Sequence, residues 1–108
     1  MPPTIKPWGT LEILPSVTEN GETHVLRIRA GEACSRHYHD DKRNLFHVIS
    51  GRLIVVQWLG KVQNRSVLDV GETVVVESGI DHQFITDDKP AVVLEQYWVT
   101  DIHRRVVY

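Results

Sequence analysis

Asn20-Gly21-Glu22-Thr23-His24-Val25-Leu26-Arg27-Ile28-Arg29-Ala30-Gly31 carries a turn dipeptide at each end and an alternating run between them. Leu26 and Ile28 fall on one side of an extended chain, Arg27 and Arg29 on the other, the period of a half-buried strand. The pattern repeats outward. Arg52-Leu53-Ile54-Val55-Val56-Gln57-Trp58 lies between Ser50-Gly51 and Leu59-Gly60. Thr73 to Val76 and Ala91 to Trp98 are rich in β-branched and aromatic residues, and Val70-Gly71 and Ser78-Gly79 punctuate the first of them. Short runs at such regular spacing predict an all-β sandwich or barrel. No segment has a convincing helical period, and Asp40-Asp41-Lys42-Arg43 reads as a solvated loop. Residues 1–9, with three prolines, read as an N-terminal arm leading into the first strand of a single domain spanning 1–108.

Composition narrows the function classes. Apolar residues make up 42% and charged residues 24%, as in ordinary globular proteins. The formal net charge of −2 comes with no basic stripe, so nucleic acid is not an expected partner. No apolar run approaches a membrane span, and the N-terminus lacks a hydrophobic signal core; the expected location is the cytoplasm. Cys34 is the only cysteine, which excludes an internal disulfide and fits a reducing compartment.

Directly after the opening stretch, Gly31-Glu32-Ala33-Cys34-Ser35-Arg36-His37-Tyr38-His39 sets two histidines two positions apart. On an extended chain both imidazoles aim at one spot. His82 follows a second glycine-punctuated run, Gly71 to Gly79. Three histidines converging from two separated segments form a candidate metal site. His24, His47 and His103 read instead as packing or surface residues. His47 lies three residues beyond Asn44, so the two face opposite sides of a regular strand. Cys34, three residues before His37, is expected on the opposite face as buried packing. Trp8, Trp58 and Trp98 read as core or interface anchors.

These spacings resemble the cupin superfamily, whose double-stranded β-helix (jelly-roll) barrel carries two glycine-and-histidine motifs. The first motif fits Gly31, five residues, His37-x-His39, four residues, Asn44, six residues, Gly51. The second fits Gly71, five residues, Glu77-x-Gly79, two residues, His82, three residues, Thr86. The family usually has glutamate at the position of Asn44, proline at Glu77 and asparagine at Thr86. Within the superfamily the chain is most similar to the C-terminal domain of type II mannose-6-phosphate isomerases. Lys6-Pro7-Trp8-Gly9-Thr10-Leu11-Glu12-Ile13-Leu14 resembles that family's opening Arg-Pro-Trp-Gly-x-Tyr-Glu-x-Leu, and Val48-Ile49-Ser50-Gly51 its Val-Val-Ser-Gly turn. Gly79-Ile80-Asp81-His82 and Thr100-Asp101-Ile102-His103-Arg104 are similar to two further stretches.

The resemblance implies a divalent transition metal (Zn, Fe, Ni, Mn or Cu) held by His37, His39 and His82, with Asn44 as a weaker, uncharged fourth donor. A site without a carboxylate stays formally dicationic and should favour an anionic ligand. The expected function is a metal-binding cupin with an isomerase-like reaction on a sugar phosphate or other small anionic metabolite. The alternatives are a three-histidine non-haem iron dioxygenase and a non-catalytic sugar-binding module. Glu95 and Glu77 are the candidate bases for an isomerisation. Gln57, Gln83, Gln96 and Tyr97 are candidate substrate contacts, subject to strand register. An apolar arm and exposed strand edges further suggest a homodimer.

Overall fold

The alternation that opens the chain becomes a strand whose His24, Leu26 and Ile28 are buried and whose Arg27 is exposed. The structure is a computed structural model that describes residues 2–15 and 20–99. Its strands run β1 (Thr4–Lys6), β2 (Gly9–Leu14), β3 (Gly21–Ile28), β4 (Lys42–Ser50), β5 (Leu53–Leu59), β6 (Val62–Leu68), β7 (Thr73–Val76), β8 (Asp81–Ile85) and β9 (Ala91–Val99). They form a six-stranded sheet ordered β1-β2-β3-β9-β4-β7 and a three-stranded sheet ordered β6-β5-β8, with every ladder antiparallel. This is the cupin-type jelly roll that the sequence predicts. No helix occurs among the described residues, and none is long and apolar enough to cross a membrane.

Two details depart from the expectation. Thr4–Lys6, within the stretch read as an arm, pairs with β2 as a strand of its own. The loop read at residues 40–43 ends at Asp41, because Lys42 and Arg43 already pair with Val99 and Trp98. Strands β4, β6 and β8 lack the clean alternation of β3, so their polar residues hid them from the periodicity reading. Thr100 to Arg104 lie outside the described residues, as does His103.

Glycine makes two of the junctions possible. Gly51 carries the chain from β4 in the larger sheet to β5 in the smaller one with φ +79, and a Cβ there would sit 2.2 Å from the Pro90 carbonyl oxygen. Gly60 opens the two-residue β5–β6 hairpin with φ +64, the left-handed geometry that such hairpins need at their first turn position.

Between the sheets, Leu26, Ile28, Phe46, Val48, Leu53, Val55, Val76, Phe84, Ala91 and Val93 form one apolar core, to which Trp8 adds an edge-on contact with Phe84 at 5.0 Å. Burial of each large side chain contributes about 1.5–3 kcal/mol. The inward rows do not stay apolar. In β3, Ile28 and Leu26 give way to His24; in β4, Val48 and Phe46 to Asn44; in β8, Phe84 to His82; in β9, Ala91 and Val93 to Glu95 and Tyr97. Register keeps these changes together, since His24 pairs with Glu95 and Asn44 with Tyr97. One end of the barrel interior is therefore polar.

Candidate metal centre

His37 and His82 are joined through their backbones before their side chains meet. They form an isolated antiparallel bridge in which each amide donates to the other's carbonyl, at 3.1 and 2.8 Å. Residues 33–39 thus run along β8 as a partial extra strand, and the Gly79 amide donates to the His39 carbonyl at 2.7 Å. Tyr38 is exposed between His37 and His39, as the two-residue period requires. The ring centroids of His37 and His39 lie 5.0 Å apart, those of His37 and His82 4.3 Å, and those of His39 and His82 5.6 Å. One nitrogen from each of the three lies within 4.8 Å of the others.

The same local device orients two of the rings. His37 Nδ1–H donates to the Ser35 carbonyl at 2.7 Å, and His82 Nδ1–H donates to the Ile80 carbonyl at 3.0 Å. A carbonyl only accepts, so both rings carry the proton on Nδ1 and keep a lone pair on Nε2. Burial lowers the pKa of His82, and the neighbouring His37 lowers it further. Burial, then His37, His82 and Lys42, lower that of His39. Neutral imidazoles with free lone pairs are what a metal ion requires.

A second polar group adjoins the first. Asn44 is buried, and its Nδ2 donates to Glu95 Oε2 at 3.0 Å. Glu95 Oε1 meets His24 Nδ1 at 2.8 Å, and His24 Nε2 meets Glu22 Oε1 at 2.6 Å. The hydrogen bond to Glu95 and then that to Glu22 raise the His24 pKa, against the opposing effect of burial. Glu22 is lowered, chiefly by its bond to His24. Tyr97 is raised by burial and by Glu22, and the Lys42 ammonium sits 4.4 Å from its ring centroid.

A cavity of about 480 Å³ touches both groups. His37, His39, Asn44, Glu95, His24 and Tyr97 line it together with Lys6 and Lys42, and Trp8, Leu11, Leu26 and Phe84 supply apolar surface. Two buried side-chain polar atoms among the described residues have no hydrogen-bond partner: His82 Nε2 and Asn44 Oδ1. Both belong to residues of the expected metal set. Orphaned buried acceptors are rare because each costs about 1–3 kcal/mol. A cation between the three histidines would satisfy His82 Nε2, and the three-nitrogen set fits a divalent ion.

The expected pocket residues divide. Tyr97 lines the cavity, whereas Gln57, Gln83 and Gln96 do not. Gln83 lies on the opposite face of β8 from His82 and donates to the Cys34 carbonyl at 2.8 Å. Gln96 alternates with Glu95 and accepts from Thr23 Oγ1 at 2.7 Å. Gln57 pairs with His82 across the β5–β8 ladder without reaching the cavity wall. Glu77 is exposed and engaged by Arg43 through two bonds of 2.8 Å, so it is no base for this cavity. Thr86 is a tie: its hydroxyl donates to the Arg29 carbonyl at 2.6 Å and accepts from the Glu32 amide at 3.0 Å.

Two sequence readings are corrected here. Cys34 lines the cavity that His37 lines instead of facing away. Bridges pair Ala33 with Ile85 and His37 with His82, so four steps of chain oppose three, and the extra residue inverts the alternation. The Cys34 thiol is pushed up to about 11 by burial and stays protonated. His24 is neither packing nor surface but the centre of the carboxylate network. Its shared parity with Leu26 and Ile28 was the signal for an inward side chain.

Fold and site together define a cupin. The sequence model for the cupin domain matches residues 17–99, and the chain belongs to that family. No curated protein matches it in sequence. Among solved structures it is similar to KdgF from Halomonas sp., with TM-score 0.74 and 16% identity over 89% of this chain and 84% of that one. A tryptophan-to-tyrosine variant of oxalate decarboxylase from Bacillus subtilis gives TM-score 0.81 and 17% identity, over 92% of this chain and 27% of that one. CapF with the inhibitor 3-isopropenyl-tropolone gives 0.80 and 18%, over 90% and 30%. This chain therefore spans less than a third of the latter two. Bacillus subtilis oxalate decarboxylase is described with Mn(II) centres. At these identities the likeness shows the shared fold.

Proposed function

We propose that this cupin holds one divalent transition metal between His37, His39 and His82, with Asn44 as a fourth donor, and takes a small anionic metabolite in the adjoining cavity. The carrying observation is the pair of buried, unpartnered acceptors, His82 Nε2 and Asn44 Oδ1. Lys6 and Lys42 on the cavity wall add positive charge for an anion, and the apolar side chains exclude water from a small ligand. When bound, the metal would supply Lewis acidity toward a ligand oxygen. The manganese of the oxalate decarboxylase neighbour agrees with a metal role. Elemental analysis of protein purified without chelator or a nickel column tests this: about one transition metal per chain is expected, and none after incubation with Mn(II), Fe(II) or Zn(II) overturns it.

The isomerase-like reading, with a sugar phosphate as substrate, needs a free base beside the metal. Glu95 is the carboxylate on the cavity wall, and both its oxygens are engaged. That observation favours a second reading, a three-histidine iron dioxygenase, in which protein carboxylates need not move a proton. Oxygen uptake by iron-loaded protein with small carboxylates or diketones supports it; conversion of an aldose phosphate without oxygen uptake favours the isomerase. A ligand returned unchanged in both assays identifies a binding module. A homodimer fits the exposure of Ile5, 84% accessible in β1; a monomer mass by light scattering at micromolar protein excludes it.

A further inference from the structure

We infer that Glu95 is a positioning residue for the metal site, a role that rests on the metal reading above. By engaging the amino end of Asn44, it makes the amide oxygen the atom offered to a metal. It also keeps a carboxylate charge one residue removed from the ion.

The chemistry of the contact decides the orientation. A carboxylate accepts, so the end of Asn44 that lies 3.0 Å from Glu95 Oε2 is the amino group. The oxygen is then the end left over, and it is buried without a partner. Register allows the contact: Asn44 pairs with Tyr97 and Phe46 with Glu95, so Asn44 and Glu95 are diagonal neighbours on the inward face of β4 and β9.

Glu95 cannot swing freely, because His24 holds its other oxygen and Glu22 holds the far side of His24. The chain Glu22–His24–Glu95–Asn44 therefore works as a brace that ends on the amide. Without it, Asn44 is free to turn its amino group inward, where an N–H would occupy an imidazole lone pair that the metal needs and would itself be repelled by the cation. A neutral amide in the position usually held by glutamate thus keeps a nearby negative charge, supplied from another strand. With both oxygens occupied, Glu95 orients a donor and is not a free base.

The full-length, metal-stripped protein tests this with Co(II), followed by visible absorption, and Mn(II), followed by calorimetry. Glu95→Ala is expected to lower the affinity for both ions about 10- to 100-fold, as loss of a ligand-orienting partner does. Its cobalt spectrum is expected to match that of Asn44→Leu, since both remove the same oxygen. Glu95→Gln, whose amide oxygen still accepts from Asn44, is expected to recover most of the loss. Wild-type affinity in Glu95→Ala, or weaker binding with an unaltered cobalt spectrum, overturns the inference while leaving the metal reading intact. Failure of the wild-type protein to take up either ion overturns the metal reading itself. If Glu95→Ala does not fold, the comparison of Glu95→Gln with Asn44→Leu decides, and equal losses in the two overturn the positioning role.

Discussion

His82 and His24 are both buried imidazoles on inward rows, and they differ at the second ring nitrogen. His82 spends Nδ1 on the Ile80 carbonyl and leaves Nε2 without a partner. His24 has a carboxylate at each nitrogen. The difference separates two kinds of polar interior. At His24 both ring nitrogens are matched within the chain, so that ring stiffens and orients its neighbours. Around His82 the fold leaves an acceptor unsatisfied at a cost of about 1–3 kcal/mol, which a bound cation would relieve. Burial acts on both but is outweighed at His24, where paired carboxylates raise the pKa, and dominates at His82, where it is lowered.

The largest expected break in this contrast comes from His82→Ala. Bound transition metal should fall at least as far as the roughly 10–100-fold typical of losing a ligand-orienting partner, measured by elemental analysis and calorimetry. Wild-type protein should also gain about 2.7 kcal/mol of stability at free metal a hundred times its dissociation constant, and His82→Ala essentially none. Equal stabilisation of the two would show that the open nitrogen is not a ligand.

His24→Leu attacks the closed group. It strips a partner from Glu95 and Glu22, whose side chains are 13% and 37% accessible, and should cost about 2–3 kcal/mol in urea unfolding of the metal-free protein. A loss under about 0.5 kcal/mol would mean that the network adds nothing beyond a surface pair.

A pH series sharpens the same point. The folded pKa of His24 is raised above the ordinary 6.5, so the folded state binds the extra proton. Its contribution is fully present below about pH 6.5 and is lost as pH rises through the folded value. The stability difference between metal-free wild type and His24→Gln should therefore shrink from pH 6 to pH 9; a difference that grows would reverse the assignment. The smallest effect belongs to Cys34→Ala. Removing a thiol that accepts from the Phe84 amide at 3.2 Å should cost about 1 kcal/mol and leave metal content unchanged.

How far the sequence could be read follows from how local each signal is. Strands β3 and β5 announced themselves by alternation, and β7 and β9 by their β-branched and aromatic residues. Strands β4, β6 and β8 did not, since Asn44 and His82 interrupt their inward rows and most of β6 is exposed. Motif spacing nominated His37, His39, His82 and Asn44 as one group without showing their geometry. Glu95 stood only as a possible base, and His24 as packing, because a hydrogen bond across 71 residues leaves no mark on spacing.

By itself the sequence determined an all-β chain, because strand period and turn glycines act over a few residues, and motif spacings that resemble the cupin family singled out three histidines as candidate metal ligands. Only the tertiary structure decided which atoms are open and which are engaged. The bulge that turns Cys34 inward, the Asn44–Glu95 bond and the orphaned nitrogen of His82 arise where distant strands meet, and strand register places their partners.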